Sequence, residues 1–222
     1  MTWLGSAAHR RWLEAETDRL LAFGRASRVP SGFGWLDDGG AVDPERPIQL
    51  WITCRMTHVF ALGALLGRPG CAPLVDHGLA ALSGPFRDAE HGGWFSALTP
   101  DGAAPDDDGK AAYAHSFVVL AAASAVAAGR PGARDLLDDA LAVQLRRFWD
   151  DDAGMVVESW DRAFTESEAY RGVNANMHTV EAYLAASVPG FTLVGLPDAS
   201  LSESRDRVRA ALTSRGLSLP PR

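Results

Sequence analysis

Cysteine is scarce. The 222 residues hold two, Cys54 inside an apolar run and Cys71 close to Pro73, so no disulfide framework and no CxxC metal site can be assembled, and both read as reduced structural thiols. Basic residues are short as well: 21 Lys and Arg face 28 Asp and Glu, a net charge of -7. That balance offers no pull toward a nucleic-acid backbone or an anionic membrane, so neither is expected as a partner. Long apolar runs are missing. The longest uncharged helix-forming stretch, residues 113–129, includes His115 and many alanines and falls short of the ~20 apolar residues that a membrane-spanning helix needs. The opening MTWLGSAAHRRWLEAETDRLL is too broken by charge to form the core of a signal peptide, and a cytoplasmic location is expected. No GxxxxGK[ST] phosphate loop occurs, which removes the usual basis for nucleotide hydrolysis.

What the chain does have is a pattern run three times. Residues 6–24 place Trp12, Leu13, Leu20 and Phe23 along one stripe, with Arg10, Glu14 and Asp18 elsewhere, the mark of an amphipathic helix. SGFGWLDDGGAVD follows, alternating aromatics with glycine as a short hairpin or extended loop does. Residues 50–67, LWITCRMTHVFALGALLG, are apolar almost all the way round, which predicts a helix buried on every side. The second lap has an exposed helix over 74–82, the loop FRDAEHGGWFSALTPDG and a small, apolar helix over 113–128. The third has ARDLLDDALAVQLRRFW, with Leu137, Leu141, Leu145 and Trp149 spaced by four, then DDDAGMVVES and a helix opening at NANMH. Trp51, Tyr113 and Asn174, near the starts of the inner helices, lie 62 and 61 residues apart, and the loop residues Trp35, Trp94 and Met155 lie 59 and 61 apart. An outer helix, a glycine-aromatic loop and an inner helix in three copies predict stacked helical hairpins with the inner helices side by side. A ligand would sit where the inner helices open beneath the loops.

Each inner helix carries polar groups at its start, where an unpaired buried charge would be costly. The first has Trp51, Arg55 and His58; the second has Tyr113, His115 and Phe117; the third has Asn174, Asn176, His178 and Glu181, with Asn174, His178 and Glu181 on one i, i+4, i+7 stripe. Aromatic plates beside Arg, Asn, His and Tyr donors suit a sugar, whose C–H faces stack on rings while its hydroxyls take directional hydrogen bonds. Structural readings stand beside this one. His9, His58 and His77 taken singly read as satisfied core histidines, Arg55 as an ion-pair partner of Glu181, and the Asp runs at 106–108 and 150–152 as turns and caps rather than metal ligands.

The stretches GFGWLDDGG, LWITCRMTHVFALG, HGGWFSAL, KAAYAHSFVVLA and YRGVNANMHTVEAYLAA resemble the N-acylglucosamine 2-epimerase superfamily, in particular its mannose isomerase and sulfoquinovose isomerase branch, over about residues 5–186. The resemblance implies an all-α fold, part of an (α/α)6 toroid of twelve helices. It also implies aldose-ketose isomerisation without a cofactor or metal, such as mannose to fructose through a cis-enediol. Carried over by motif, Trp51, Arg55, Tyr113, Asn174, Met177 and His178 would line a monosaccharide pocket, with Arg55 polarising substrate oxygens, Met177 beneath the sugar and His178 as the catalytic residue. The family's principal acid/base histidines come from inner helices in the second half of its barrel, which this sequence lacks.

From about residue 188 the text changes. PGFTLVGLPDASLSESRDRVRAAL resembles the N-terminal segment of magnesium-chelatase-like AAA ATPases of the competence-protein type. Locally it predicts a strand over 191–194, a turn over 195–198, and a helix to Leu212 opened by a Ser200/Glu203 capping box. The expected organisation is a partial isomerase domain over 1–187 and a foreign tail over 188–222 that is not a domain of its own. Two functions follow: a truncated sugar isomerase, or a non-catalytic half-barrel that binds sugar weakly or pairs with a second copy through its exposed face.

Overall fold

The computed structural model describes residues 6–187, so the strand, turn and helix expected over 191–212 lie outside the described residues. Within that span run six α-helices, α1 (Ala7–Arg25), α2 (Leu50–Leu65), α3 (Cys71–Ser83), α4 (Ala112–Ala127), α5 (Ala133–Val143) and α6 (Val173–Ala186). Helices α2 and α6 pack on opposite flanks of α4, while α3 covers α2 and α5 covers α4. Helix α4 meets the expectation of burial all round: from Ala112 to Ala125 only Tyr113 retains partial exposure. Its alanines and serines let neighbouring backbones approach closely enough to shut water out. Among the described residues no helix is long and apolar enough to cross a membrane.

Two turns of identical sequence set this geometry. Gly-Arg-Pro-Gly at 67–70 joins α2 to α3, and the same four residues at 129–132 join α4 to α5. In each, the first glycine adopts a left-handed conformation, φ 72° at Gly67 and 65° at Gly129. The N–H of Arg68 bonds Gly63 O and that of Gly67 bonds Ala64 O; Arg130 and Gly129 do the same with Ala125 and Val126. This is the Schellman closure, and a Cβ at the left-handed position would strain it. The intervening arginine then reaches back to the previous outer helix, Arg68 to Asp18 of α1 and Arg130 to Asp76 of α3. The close hairpins are therefore inner-then-outer, α2 with α3 and α4 with α5, rather than the outer-loop-inner units that the sequence pattern suggests.

The glycine-aromatic loops also pair differently from expectation. Ribbons within a single loop are β1 (Arg28–Val29) with β2 (Gly32–Phe33), the 97–98 strand with the 105–107 strand, and β7 (Trp149–Asp150) with β8 (Met155–Val156). Two further pairings stitch one lap to the next. β3 (Ile48–Gln49), which leads into α2, pairs with β4 (Ala97–Leu98), itself paired with β5 (Pro105–Asp107). β6 (Lys110–Ala111), which leads into α4, pairs with β9 (Ser159–Trp160), placing Lys110 opposite Trp160. The start of each of these two inner helices is thus pinned by the loop of the following lap.

Three further expectations are corrected. On α1 the buried residues are His9, Leu21 and Gly24, whereas Trp12, Leu13, Leu20 and Phe23 are exposed. The helix rests on α2 through the Gly24 side, and the stripe is only partly covered, Phe23 by the Gly40 turn and Trp12 by the His9 ring. Helix α2 is not buried on every side, since Val59, Leu62 and Leu65 face outward, and α6 likewise exposes Val173, Met177, Val180 and Leu184. Both flank α4, and among the described residues each has an inner neighbour on one side only. Finally, the four-residue spacing through Leu145 and Trp149 breaks, because α5 gives way to a π-helical turn over Gln144–Phe148. The wider turn buries Gln144 and Phe148 instead, leaves Arg146 and Arg147 exposed, and sends Trp149 into β7.

Candidate functional site

Tyr113 and Phe117, one turn apart on α4, form the floor of an aromatic bowl. Their rings meet edge to face with centroids 5.0 Å apart. From α6, His178 packs on both, 5.3 Å from Tyr113 and 4.7 Å from Phe117. From α2, the Arg55 guanidinium lies 4.3 Å from the Phe117 centroid and 5.2 Å from that of Trp51. Trp51 in turn meets Trp35, from the first loop, edge to face at 5.5 Å, and Arg46 caps the Trp35 ring at 4.0 Å. Three inner helices and one loop thus deliver a continuous set of rings and donors. A cation over aromatic faces is held by the ring quadrupole while its N–H groups stay free to bond elsewhere.

Helix α6 orients His178. Glu181, three residues on, accepts a hydrogen bond from His178 Nδ1 at 2.8 Å, which fixes the ring and leaves Nε2 as the nitrogen available to a ligand. Arg55 makes no ion pair among the described residues; the expected bridge to Glu181 does not form, because that carboxylate is engaged by His178. Half-buried His58, a turn below Arg55, places Nδ1 2.6 Å from Ser124 Oγ. Burial lowers its affinity for a proton, partly offset by the carboxylate of Glu181.

Asn174, one turn before His178 on α6, and Met177, next to it, are exposed. Asn176 is structural: its Oδ1 accepts from Val156 N at 2.8 Å and its Nδ2 donates to Gly172 O at 2.8 Å. His115, two residues from Tyr113, points to the opposite side of α4. There its Nδ1–H donates to Ala111 O at 2.8 Å and its Nε2 accepts the Trp94 N–H at 3.1 Å. Burial, with Lys110 and Arg87 nearby, depresses its pKa to about 3, so it is a neutral structural residue and no longer a candidate for proton transfer. Gly93 permits this approach, since a Cβ there would stand 2.8 Å from His115 Nε2. The Asp runs make turns: Asp107 accepts from Gly109 N, and Asp150 accepts from Ala153 N while pairing with Arg171.

Sequence reasoning missed the clasp at the start of α4. Asp88 and Lys110, both fully buried, pair at 2.9 Å, and Arg162 joins Asp88 at 3.1 Å while reaching Glu90 at 3.0 Å. The loops after α3 and α5 are thereby locked to the strand that starts α4. An isolated Asp in DAEHGG and a Lys in DDDGKAA look like loop residues; their side chains meet through the fold of the loop between α3 and α4, and the pairing of β6 with β9 brings Arg162 to them.

Residues 32–190 match the family described as N-acylglucosamine 2-epimerase (GlcNAc 2-epimerase), and residues 180–222 match the subunit ChlI of Mg-chelatase. A D-mannose isomerase from Thermobifida fusca is 57% identical over 185 residues, 83% of this chain and 45% of that protein. Competence protein ComM from Haemophilus influenzae is 45% identical over 58 residues, 26% of this chain and 11% of its own length. A crystal structure of D-mannose isomerase superposes with a TM-score of 0.78 at 22% identity, covering 96% of this chain and 54% of that one; at that identity the likeness speaks for the fold. The chain therefore spans about half the length of the isomerases that it matches.

Proposed function

The chain belongs to the N-acylglucosamine 2-epimerase family, and from that premise we propose that its aromatic bowl binds a monosaccharide for aldose-ketose isomerisation of the mannose-to-fructose type. The observation that carries this reading is the convergence of Trp51, Arg55, Tyr113, Phe117 and His178 from three helices into one connected cluster of rings and donors. Trp51 and Tyr113, half-buried over the buried Phe117 ring, offer ring surface to the sugar's C–H groups. Arg55 polarises the carbonyl and hydroxyl oxygens, and His178 Nε2 exchanges a proton at the carbon next to the carbonyl. The cis-enediol that results is reprotonated on the neighbouring carbon, so the reaction is redox-neutral within the sugar and needs no cofactor. A second proton-transfer group is required, and His58 is the candidate that this half of the ring supplies.

In this reading the described residues form three of the six hairpins of an (α/α)6 ring, residues 1–187 are one unit working in the cytoplasm, and 188–222 form a tail of different origin. Turnover then depends on the rest of the rim. Mannose added to the purified chain is expected to change Trp fluorescence saturably, with binding weakened about tenfold by Arg55→Ala through loss of a charged hydrogen-bond donor. Any mannose-to-fructose conversion measured without added metal or nucleotide should fall by about 10²–10⁴ in His178→Ala. Absence of saturable mannose binding would remove the bowl as a sugar site.

The second reading, a non-catalytic half-barrel that pairs with itself, is favoured by the apolar side chains left open on both flanks. Val173 is 82% and Met177 52% exposed on α6, and Val59, Leu62 and Leu65 face outward on α2. Exposed apolar patches of this kind favour association. Two copies related by a two-fold axis along the ring would set α6 of each against α1 and α2 of the other. Light scattering during size exclusion is expected to give twice the chain mass, reverting to one in Val180→Glu/Leu184→Glu. A monomer at all concentrations rejects the pairing.

A further inference from the structure

On the side of α4 away from the bowl lies a cavity of about 390 Å³, lined among others by His91, Gly93, Val143, Arg146, Arg147 and Phe164. We propose that this cavity is a second binding site, specific for the phosphoryl group of a small phosphate compound. The π-helical turn over Gln144–Phe148 presents Arg146 and Arg147 side by side and exposed. Neither guanidinium pairs with a carboxylate among the described residues, and Arg147 lies 5.0 Å from the Phe164 ring centroid. The carboxylate on the same wall, Asp139, is already neutralised by Arg87 at 2.9 Å. In a chain of net charge -7, two uncompensated arginines at the mouth of a cavity create a local positive potential. Guanidinium forks match phosphate oxygens in geometry as well as charge.

The opposite wall is built with equal care. Phe164 adopts φ 60°, the one non-glycine positive φ among the described residues, a conformation that costs a bulky side chain free energy. Asp161 enforces it: its backbone carbonyl accepts from Phe164 N, its Oδ1 from Thr165 N and Glu166 N, and its Oδ2 from the Thr165 hydroxyl. The strained ring closes the cavity floor against Phe148, 5.9 Å away. Val143, Ala142 and Phe164 leave an apolar surface beside the arginines, suited to a compact organic body attached to the phosphate.

The site is tested by calorimetric titration of the full chain with inorganic phosphate, mannose 6-phosphate and mannose at fixed ionic strength. Both phosphate compounds are expected to bind, and Arg146→Ala/Arg147→Ala to weaken them by at least about tenfold. Arg10→Ala/Arg11→Ala removes the same charge from the exposed surface of α1 and is expected to leave affinity within about twofold. Tighter binding of mannose 6-phosphate than of phosphate would support a role for the apolar wall, and equal binding would assign recognition to the anion. Equal losses in the two double variants, saturable binding of neither phosphate compound, or loss of mannose binding in Arg146→Ala/Arg147→Ala would each overturn the proposal. Mannose binding in the bowl is read separately through Arg55→Ala, so failure of one site leaves the other standing.

Discussion

Asp88→Ala is expected to lower the free energy of unfolding by about 3–5 kcal/mol, the usual cost of stranding one member of a buried ion pair, and to lower the melting temperature by on the order of 10 °C for a chain of this size. The Asp88 carboxylate receives Lys110 Nζ at 2.9 Å, Arg162 Nε at 3.1 Å, and the backbone N–H groups of Glu90 and His91 at 3.1 and 3.2 Å. Burial disfavours its charge, but the hydrogen bonds from Arg162, Lys110 and His91 prevail and hold its pKa well below the carboxylate range. For Lys110 burial prevails over Asp88, and its pKa is lowered. Removing Asp88 therefore leaves a completely enclosed ammonium beside the Phe95 and Phe164 rings, with the cations of Arg162 and Arg87 nearby. Lys110→Met should cost less, about 1–3 kcal/mol, because Asp88 keeps Arg162 and two backbone donors. Urea unfolding of the two variants tests this asymmetry. Equal small losses below about 1 kcal/mol would show that the clasp does not hold the loops.

The clasp also shows why some of this molecule was legible in its sequence and some was not. Helix α4 could be read because a run of alanine, valine and serine has one stable environment, the middle of a helical layer. The convergence of Trp51, Arg55, Tyr113 and His178 followed from the spacing of Trp51, Tyr113 and Asn174, 62 and 61 residues apart, which sets the starts of the three inner helices at equivalent depth. Apolar stripes on α1, α2 and α6 were visible too, but a stripe states what a helix prefers to bury against and not whether that neighbour is present. The repeated Gly-Arg-Pro-Gly turn was in plain view at 67–70 and 129–132, and its left-handed glycines would have predicted which helices form the close hairpins. Pairing of β3 with β4 and of β6 with β9 depends on strands two or three residues long, too short to carry a periodicity of their own. His115 and Phe117 share a helix turn with Tyr113, and only the packing of Trp94 on one side and His178 on the other separates a structural imidazole from a site residue.

That imidazole makes the fold acid-sensitive in a window where carboxylates do not yet titrate. His115 accepts the Trp94 N–H at Nε2, so a proton placed there would oppose two N–H groups inside a closed core. With its pKa depressed to about 3 in the folded chain and an ordinary value near 6.5 when unfolded, the unfolded state binds the proton first. Stability is whole above about pH 6.5 and declines as pH falls toward 3, by up to about 1.4 kcal/mol per pH unit. His58, lowered mainly by burial, adds to the decline with the same sign. Asp88 contributes later with the same sign, since its stabilisation is whole above the unfolded carboxylate value near 4 and is lost progressively as pH falls from there through its own depressed pKa. Unfolding free energies measured in urea at successive pH values from 7 to 4 should therefore fall steadily before any acid transition. His115→Gln should be less stable at pH 7 by about 1–3 kcal/mol for the Trp94 N–H that it leaves imperfectly paired, yet flatter with pH. A slope unchanged in that variant would place the titrating group elsewhere and leave Trp94 and His115 as packing partners only.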